Sequence, residues 1–117
     1  MARLVVGTIA DFVEQHGVRV SVGDRRLALF RIGSQVFAVD DNCPHRNFPL
    51  HDGLVRGTSV QCRSHGSCFD LMTGALRRGP SRRAVNAYSV FVVDDRVEVE
   101  IPTQSVHGLR SPGDHEN

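Results

Sequence analysis

A chain of 117 residues with 40% apolar residues fits one domain of ordinary size and excludes two independent cores. Its formal net charge of +1 excludes nucleic acid as a bulk electrostatic partner, because phosphate binding requires a strong basic excess. No apolar stretch approaches the ~18 residues of a membrane span, and the N-terminus lacks the pattern of a secretory signal. We therefore expect a cytoplasmic protein with no membrane segment.

The N-terminal third shows short alternating apolar runs separated by turns, a pattern typical of antiparallel β structure. Thr8 and Asp11 give an S/T-x-x-D capping signal, which predicts a helical turn within residues 8–14. Residues 4–6 form a first candidate strand, and the apolar runs at 18–22, 27–32 and 36–39 predict a meander of three half-buried strands.

The C-terminal part predicts a β-hairpin, with apolar residues alternating over 88–92 and 97–101. Residues 41–83 differ in character, being rich in Gly, Pro, Cys, His and Arg, with short strands only. We interpret them as a small subdomain inserted into a single β domain over 1–101. Residues 102–117 carry few apolar groups and are expected to form a flexible tail.

Two short Cys/His pairs lie in the insertion. Cys43 and His45 form C-x-H, Cys62 and His65 form C-x-x-H, and sixteen residues separate the pairs. The three cysteines are an odd number, which argues against a disulfide framework and favours metal binding. Such a set of four ligands binds zinc or iron.

The distribution of the ligands bears on the choice of metal. A structural zinc site more often pairs two cysteines in one motif and two histidines in another. Here each loop supplies one Cys and one His, which suits a two-iron cluster whose one iron takes both thiolates and whose other iron takes both imidazoles. A zinc-stapled binding module is the alternative.

A longer motif surrounds the second pair. The run from Cys62 to Asp70 reads C-x-x-H-G-x-x-F-D, followed by Thr73-Gly74 and then Gly79-Pro80. Together with the C-x-H, this arrangement resembles the Rieske family.

The resemblance implies an all-β fold, a Rieske-like antiparallel β sandwich with an inserted cluster-binding subdomain. It also implies one [2Fe–2S] cluster per chain, held by Cys43, His45, Cys62 and His65. The cysteines would hold the deeper iron, and the histidines the outer iron from which electrons leave.

Further residues take roles from the same resemblance. Gly66 would allow close backbone approach to the sulfides, and Ser67 keeps the hydroxyl that hydrogen-bonds the cluster in the family. Phe69 stands where high-potential members have Tyr. Pro80 resembles the proline of the covering loop that shields the cluster from water.

Two departures bear on the redox potential. High-potential members carry an extra Cys in each loop, but Phe48 and Ser64 occupy those positions and form no disulfide. Hydrogen bonds to sulfur stabilise the reduced cluster, and Phe69 lacks the hydroxyl that would make one such bond. We expect a potential in the lower part of the Rieske range, roughly −150 to 0 mV.

Four more residues near the motif have predicted places. Arg46 and Arg63 lie beside the ligands and are candidates for docking acidic partner surfaces. Cys68 falls outside the ligand set and is expected to be a small apolar filler. His51 is expected at the surface of the first loop.

The resemblance implies a soluble electron carrier without substrate chemistry of its own. Such a carrier takes electrons from an NAD(P)H-dependent flavoprotein reductase and passes them to a terminal ring-hydroxylating oxygenase. A Rieske-like small subunit of an assimilatory nitrite reductase is the alternative. An oxygenase catalytic subunit is excluded, because it needs a mononuclear iron site of two His and a carboxylate that this sequence lacks.

Overall fold

The computed structural model of the chain describes residues 1–44, 48–64 and 66–105. Within these residues lie eleven β-strands and two short 3-10 turns, Ile9–Asp11 and Thr103–Ser105. The strands are β1 Ala2–Thr8, β2 Gly17–Val22, β3 Arg25–Ile32, β4 Gln35–Asp40, β5 Leu54–Arg56, β6 Ser59–Gln61, β7 Cys68–Asp70, β8 Leu76–Arg78, β9 Ala87–Tyr88, β10 Val90–Val93 and β11 Arg96–Ile101. No helix in this part of the chain is long and apolar enough to cross a membrane.

The strands form three antiparallel sheets. Sheet I has the order β1-β11-β10, sheet II the order β2-β3-β4-β9, and sheet III the order β5-β6-β7-β8. Sheet III lies wholly between residues 41 and 83, in the predicted insertion. The predicted all-β antiparallel architecture is confirmed, whereas the domain bounds stay predictions, because residues 106–117 of the tail lie outside the described residues.

Sheet II forms the middle layer, and each of its faces covers a separate core. Leu27 and Leu29 of β3 point into a core shared with sheet I, while Ala28 and Phe30 point into a core shared with sheet III. All four side chains are fully buried. The prediction that this strand is half-buried is therefore wrong, because the inserted sheet covers the face that the alternation left to solvent.

Two local predictions need correction. The strand expected over residues 88–92 is two strands, because the chain leaves sheet II at Ser89 and joins sheet I as β10. In the sequence, apolar residues continue to alternate through this change of partner strand, so the pattern could not reveal that the chain passes from one sheet to the other. The helical turn expected within residues 8–14 is one 3-10 turn, in which Asp11 Oδ2 accepts the N–H of Thr8 at 2.8 Å. It ends where Phe12 adopts extended backbone and enters the core.

A polar contact fixes the end of β4, where the insertion begins. Tyr88 Oη donates to Asp40 Oδ1 at 2.5 Å and accepts from Arg25 Nη1 at 2.8 Å. Burial and the neighbouring carboxylate raise the pKa of Tyr88 to about 12, so its hydroxyl keeps the proton that it donates. The end of β4, where the chain leaves sheet II for the insertion, is thus tied to β9 through Tyr88, which in turn accepts a hydrogen bond from Arg25 of β3.

Candidate metal centre

Both cysteines of the predicted ligand set lie in the core between sheets II and III. Cys43 is 1% exposed and Cys62 is 2% exposed, and both belong to the apolar cluster that contains Phe30, Leu50 and Phe69. Neither forms a disulfide. The other two predicted ligands, His45 and His65, and the docking candidate Arg46 lie outside the described residues. The structure thus brings the two thiols to one buried region and leaves the imidazoles untested.

Each cysteine opens a short loop that its own backbone closes. The N–H of Cys43 donates to the carbonyl of Phe48 at 2.7 Å, and the N–H of Cys62 donates to the carbonyl of Ser67 at 2.8 Å. Each bond spans five residues, and each loop encloses one predicted histidine ligand. The C-x-H and C-x-x-H motifs therefore lie on two loops of the same kind, which we name the first and the second ligand loop (43–48 and 62–67).

The first ligand loop is bounded by a buried carboxylate that the sequence interpretation missed. Asp41 has no exposed side-chain surface and accepts from the amides of Leu50 and His51, each at 2.7 Å. Its other oxygen lies 2.5 Å from Nε of Arg19 and 2.8 Å from Nδ1 of His51. Burial alone would raise the pKa of Asp41, but these hydrogen bonds outweigh it and hold the pKa below its ordinary value.

This network changes the interpretation of His51. Its ring is partly buried against a carboxylate and is not simply at the loop surface. The sequence shows an acidic residue, Asp41, two positions before the C-x-H motif, but it does not show that this residue is buried. The partners that enclose it are Arg19 of β2 and the segment at Leu50 and His51, and no local sequence pattern predicts these contacts.

A third loop, residues 79–81, packs on the second ligand loop. The N–H of Ser81 donates to Oγ of Ser67 at 3.0 Å, and both residues are buried. Gly79 approaches so closely that a Cβ there would lie 2.4 Å from Cα of Ser67. Pro80 lies between these contacts with an exposed side chain. Gly79 and Ser81 therefore fix the predicted covering loop to the second ligand loop. That Pro80 shields a cluster from water stays a prediction.

Ser67 and Gly66 occupy different hydrogen-bonding positions. Because Ser67 Oγ already accepts from Ser81, its own hydroxyl proton is free to donate elsewhere. Gly66 has a φ of +81° and its N–H donates to the carbonyl of Cys62 at 3.1 Å. Gly66 thus provides the positive φ that the turn of the second ligand loop requires, and its amide is hydrogen-bonded within that loop.

The alternation of β7 separates the remaining motif residues. Phe69 is fully buried in the core that holds both cysteines. Cys68 and Asp70 point to the opposite face of sheet III, where Cys68 Sγ lies 3.6 Å from the carbonyl of Gly66. Cys68 is therefore a buried thiol outside the two apolar cores, not a filler within them.

The Asp and Thr-Gly of the motif build the turn between β7 and β8. Asp70 accepts from the N–H of Thr73 at 2.8 Å, from its hydroxyl at 2.9 Å and from Arg77 at 2.7 Å. The hydrogen bond from Arg77 is the largest cause that holds the pKa of Asp70 below its ordinary value. The contacts of these motif residues therefore stabilise the turn between β7 and β8.

The described donors fit a thiolate-bound iron cluster. Cys43 and Cys62, neither of them in a disulfide, are buried in one apolar core, each at the start of a loop closed by its own backbone N–H, and each of these loops also carries a predicted histidine ligand. A thiolate in such a core needs a positive partner to offset desolvation, and a ferric ion is one. Among the described residues no group of three or more His, Cys, Asp or Glu side chains gathers elsewhere as a rival site.

Comparison with known proteins agrees with this donor set. The chain matches the Rieske [2Fe-2S] domain over residues 2–89. It is 34% identical over 96 residues to the ferredoxin subunit of anthranilate 1,2-dioxygenase from Burkholderia cepacia, a match that covers 82% of this chain and 89% of that protein. The chain belongs to the Rieske [2Fe-2S] domain family.

Solved structures share this fold, and one of them is also similar in sequence. A chain of the complex of reduced oxygenase and oxidised ferredoxin in carbazole 1,9a-dioxygenase superposes with a TM-score of 0.76 at 31% identity, covering 83% of this chain and 91% of its own. A nitrite reductase small subunit from Mycobacterium tuberculosis superposes with a TM-score of 0.77 at 23% identity over 87% and 97% of the two chains, which supports the fold alone.

These relatives decide the question of the metal and the class of protein. The chain carries one [2Fe–2S] cluster, so the zinc-stapled module is wrong. It is a ferredoxin-type electron carrier and not an enzyme with a substrate site of its own. The predicted family, cofactor and class of function are confirmed.

Proposed function

We propose that Cys43, His45, Cys62 and His65 hold the cluster, with one iron on the two thiolates and the other on the two imidazoles. The observation that carries this assignment is the burial of Cys43 and Cys62 in one core, each at the base of a loop closed by its own N–H. When bound, the cluster supplies one-electron chemistry, and histidine ligation places its potential above that of an all-cysteine cluster.

The surrounding residues then have separate tasks. Ser67, oriented by the N–H of Ser81, would donate a hydrogen bond from its hydroxyl to a sulfur of the cluster. Phe69 excludes water from the thiolate side, and its lack of a hydroxyl keeps the potential low. Gly66 shapes the second ligand loop, and Pro80 covers its outer side.

We propose that the carrier receives electrons from an NAD(P)H-dependent flavoprotein reductase and delivers them to the terminal oxygenase of a ring-hydroxylating dioxygenase system. The support is its likeness to the anthranilate dioxygenase ferredoxin subunit and to a chain solved together with its oxygenase. We place the work in the cytoplasm, since a reducing compartment keeps the cysteines available for iron. Arg46 and Arg63 are candidates for contact with these partners.

The ligand assignment is tested by cysteine replacement in the full chain. Cys43→Ser and Cys62→Ser should each remove the iron, the labile sulfide and the EPR signal of the dithionite-reduced protein. Cys68→Ser is the matched control, because Cys68 is also buried but lies on the face of β7 opposite to Phe69 and the core that holds the two other cysteines, and it should keep all three. A cluster retained in Cys62→Ser, or lost only in Cys68→Ser, would contradict the assignment.

The partner assignment needs a reconstituted chain of electron transfer. Oxygenase reduction should depend on NAD(P)H, the flavoprotein reductase and this protein together, and the Cys62→Ser variant should not replace the wild type. A small subunit of a nitrite reductase would instead co-purify with a large sirohaem subunit, and the shared fold is the observation that keeps this second candidate. Stable binding to that subunit without oxygenase reduction would favour it.

A further inference from the structure

The charges of the chain are divided unequally between the inserted sheet and the rest. Residues 41–83 contain seven arginines and three aspartates, whereas the remainder contains seven arginines and ten acidic residues. A chain of nearly neutral total charge is therefore basic around the metal centre and acidic in the sandwich. Such a separation orients a protein in the field of a charged partner.

Five exposed arginines of the insertion lie around sheet III and the second ligand loop, and we name them the arginine face. Arg56 and Arg78 lie on β5 and β8 and line one depression of about 430 Å³ on the outer side of the sheet. Arg63 follows Cys62 directly in the second ligand loop. The other two, Arg82 and Arg83, follow Ser81, whose N–H binds Ser67.

The arginine face has no neutralising carboxylate among the described residues. Asp70 borders the depression, but its ion pair is with Arg77. The arginines of the sandwich differ, since Arg3 and Arg96 both pair with Glu98. Arg63 donates Nε to the backbone carbonyl of Asp52, which orients the guanidinium without removing its charge.

We propose that the arginine face is a docking surface for an acidic surface that surrounds the redox centre of the terminal oxygenase. This inference rests on the proposed function, and it adds the sign and position of the charges that guide the encounter. A nucleic acid is a poor occupant, because the acidic remainder of the chain would repel a long polyanion. The step it serves moves one electron from the reduced cluster to one acceptor centre, and no bond forms or breaks.

The test compares two double variants of the cluster-loaded protein with equal changes in charge. Arg56→Gln/Arg78→Gln removes two charges from the arginine face, and Arg3→Gln/Arg96→Gln removes two from sheet I. Anaerobic stopped-flow measures the rate of oxygenase reduction against ionic strength. The first variant should be slower by roughly three- to tenfold at low salt, with a flatter salt dependence, and the second should match the wild type. Equal behaviour of the two variants would overturn the inference while leaving the proposed function intact.

A second measurement tests the charge of the arginine face separately from the identity of the acceptor. The reduced wild type is oxidised by anionic hexacyanoferrate and, separately, by cationic tris(phenanthroline)cobalt. Loss of Arg56 and Arg78 should slow the anion and speed the cation, whereas loss of Arg3 and Arg96 should change neither by more than about twofold. A wild type that fails to reduce the oxygenase but shows this pattern refutes the proposed acceptor alone. The absence of the pattern refutes the arginine face.

Discussion

Nδ1 of His51 lies 2.8 Å from Oδ2 of Asp41, whose carboxylate has no exposed surface. Because the hydrogen bonds of Asp41 lower its pKa, the carboxylate is ionised and can only accept, so Nδ1 of the histidine carries the proton in this contact. Asp41 precedes the first ligand loop and His51 follows it. One buried group therefore joins the two ends of the loop that holds Cys43.

Replacement of Asp41 by Asn should loosen the first ligand loop. The amide nitrogen would face N–H donors of Leu50 and His51 or the guanidinium of Arg19, and one contact becomes repulsive. We expect a loss of about 2–4 kcal/mol in the free energy of unfolding and faster loss of iron to a chelator. Urea unfolding and the iron content over time measure both.

The control for this variant is Asp52→Asn, which alters an exposed carboxylate on the same stretch of chain. It should change the free energy of unfolding by less than about 0.5 kcal/mol. If Asp41→Asn proved as stable and as slow to lose iron as Asp52→Asn, the carboxylate would not be what fixes the loop.

Replacement of Gly79 by Ala should separate the third loop from the second ligand loop. The added Cβ would lie 2.4 Å from Cα and 2.9 Å from N of Ser67, and both are backbone atoms that cannot turn aside. Gly33→Ala is the matched control, because Gly33 also has a positive φ but nothing lies within 4 Å of its Cβ position. The control carries the strain of an alanine in the left-handed region, about 1–2 kcal/mol, and Gly79, at a φ of +108°, carries at least as much.

We expect Gly79→Ala to lose about 1–3 kcal/mol more than the control in urea unfolding. It should also bleach faster in air, since the loop that bears Pro80 no longer covers the second ligand loop. Equal stability losses in the two variants would show that the close approach to Ser67 is not maintained in solution.

The ligand motif was predictable because the residue types and their spacing along the chain are enough to recognise it. Cys43 and Cys62 are recognisable from their spacing to His45 and His65, and the structure places both thiols in one core. The alternation of apolar residues in β2 and β11 likewise predicted antiparallel sheets, since a period of two survives any choice of neighbour.

What escaped the sequence depends on contacts between distant segments. Asp41 gave no sign of burial, because its partners Arg19 and His51 lie 22 and 10 residues away. The double burial of Ala28 and Phe30 follows from sheet III, whose strands of three residues are too short to show a period. Long-range packing of short elements is therefore the part of this fold that local patterns leave undetermined.

A hydroxyl at position 69 should raise the redox potential. Phe69 is fully buried in the core that contains both thiols, and under the proposed ligation we expect a Tyr hydroxyl there to donate to sulfur. Phe69→Tyr should therefore move the midpoint upward in an EPR-monitored redox titration. Phe91→Tyr, in a half-buried position on β10 of sheet I, is the control and should leave the midpoint unchanged.

A fall in the midpoint, or no change in a Phe69→Tyr variant that keeps its iron and sulfide, would refute the assignment of this position. Loss of the cluster with retained fold would instead indicate that the pocket has no room for the hydroxyl. The two outcomes are separated by analysis for iron and labile sulfide before the titration.

The pH dependence of unfolding should report the turn at Asp70. The hydrogen bonds from Arg77 and Thr73 lower the pKa of Asp70 in the folded chain, so its contribution to stability is complete above the unfolded pKa near 4. The contribution is lost as pH falls through the lower folded pKa. Stopped-flow unfolding in urea after a jump to between about pH 6 and pH 3 follows this before acid destroys the cluster.

Asp70→Asn should unfold faster than wild type near pH 6, by an amount equivalent to about 1–2 kcal/mol, because its amide cannot pair with Arg77. The difference should shrink as pH falls below the unfolded pKa near 4 toward the lower folded pKa, where protonation removes the same charge from the wild type. Asp52→Asn should show the wild-type profile throughout. Parallel profiles for Asp70→Asn and wild type would mean that the ion pair with Arg77 does not stabilise the turn, and the Asp of the motif would then need another explanation.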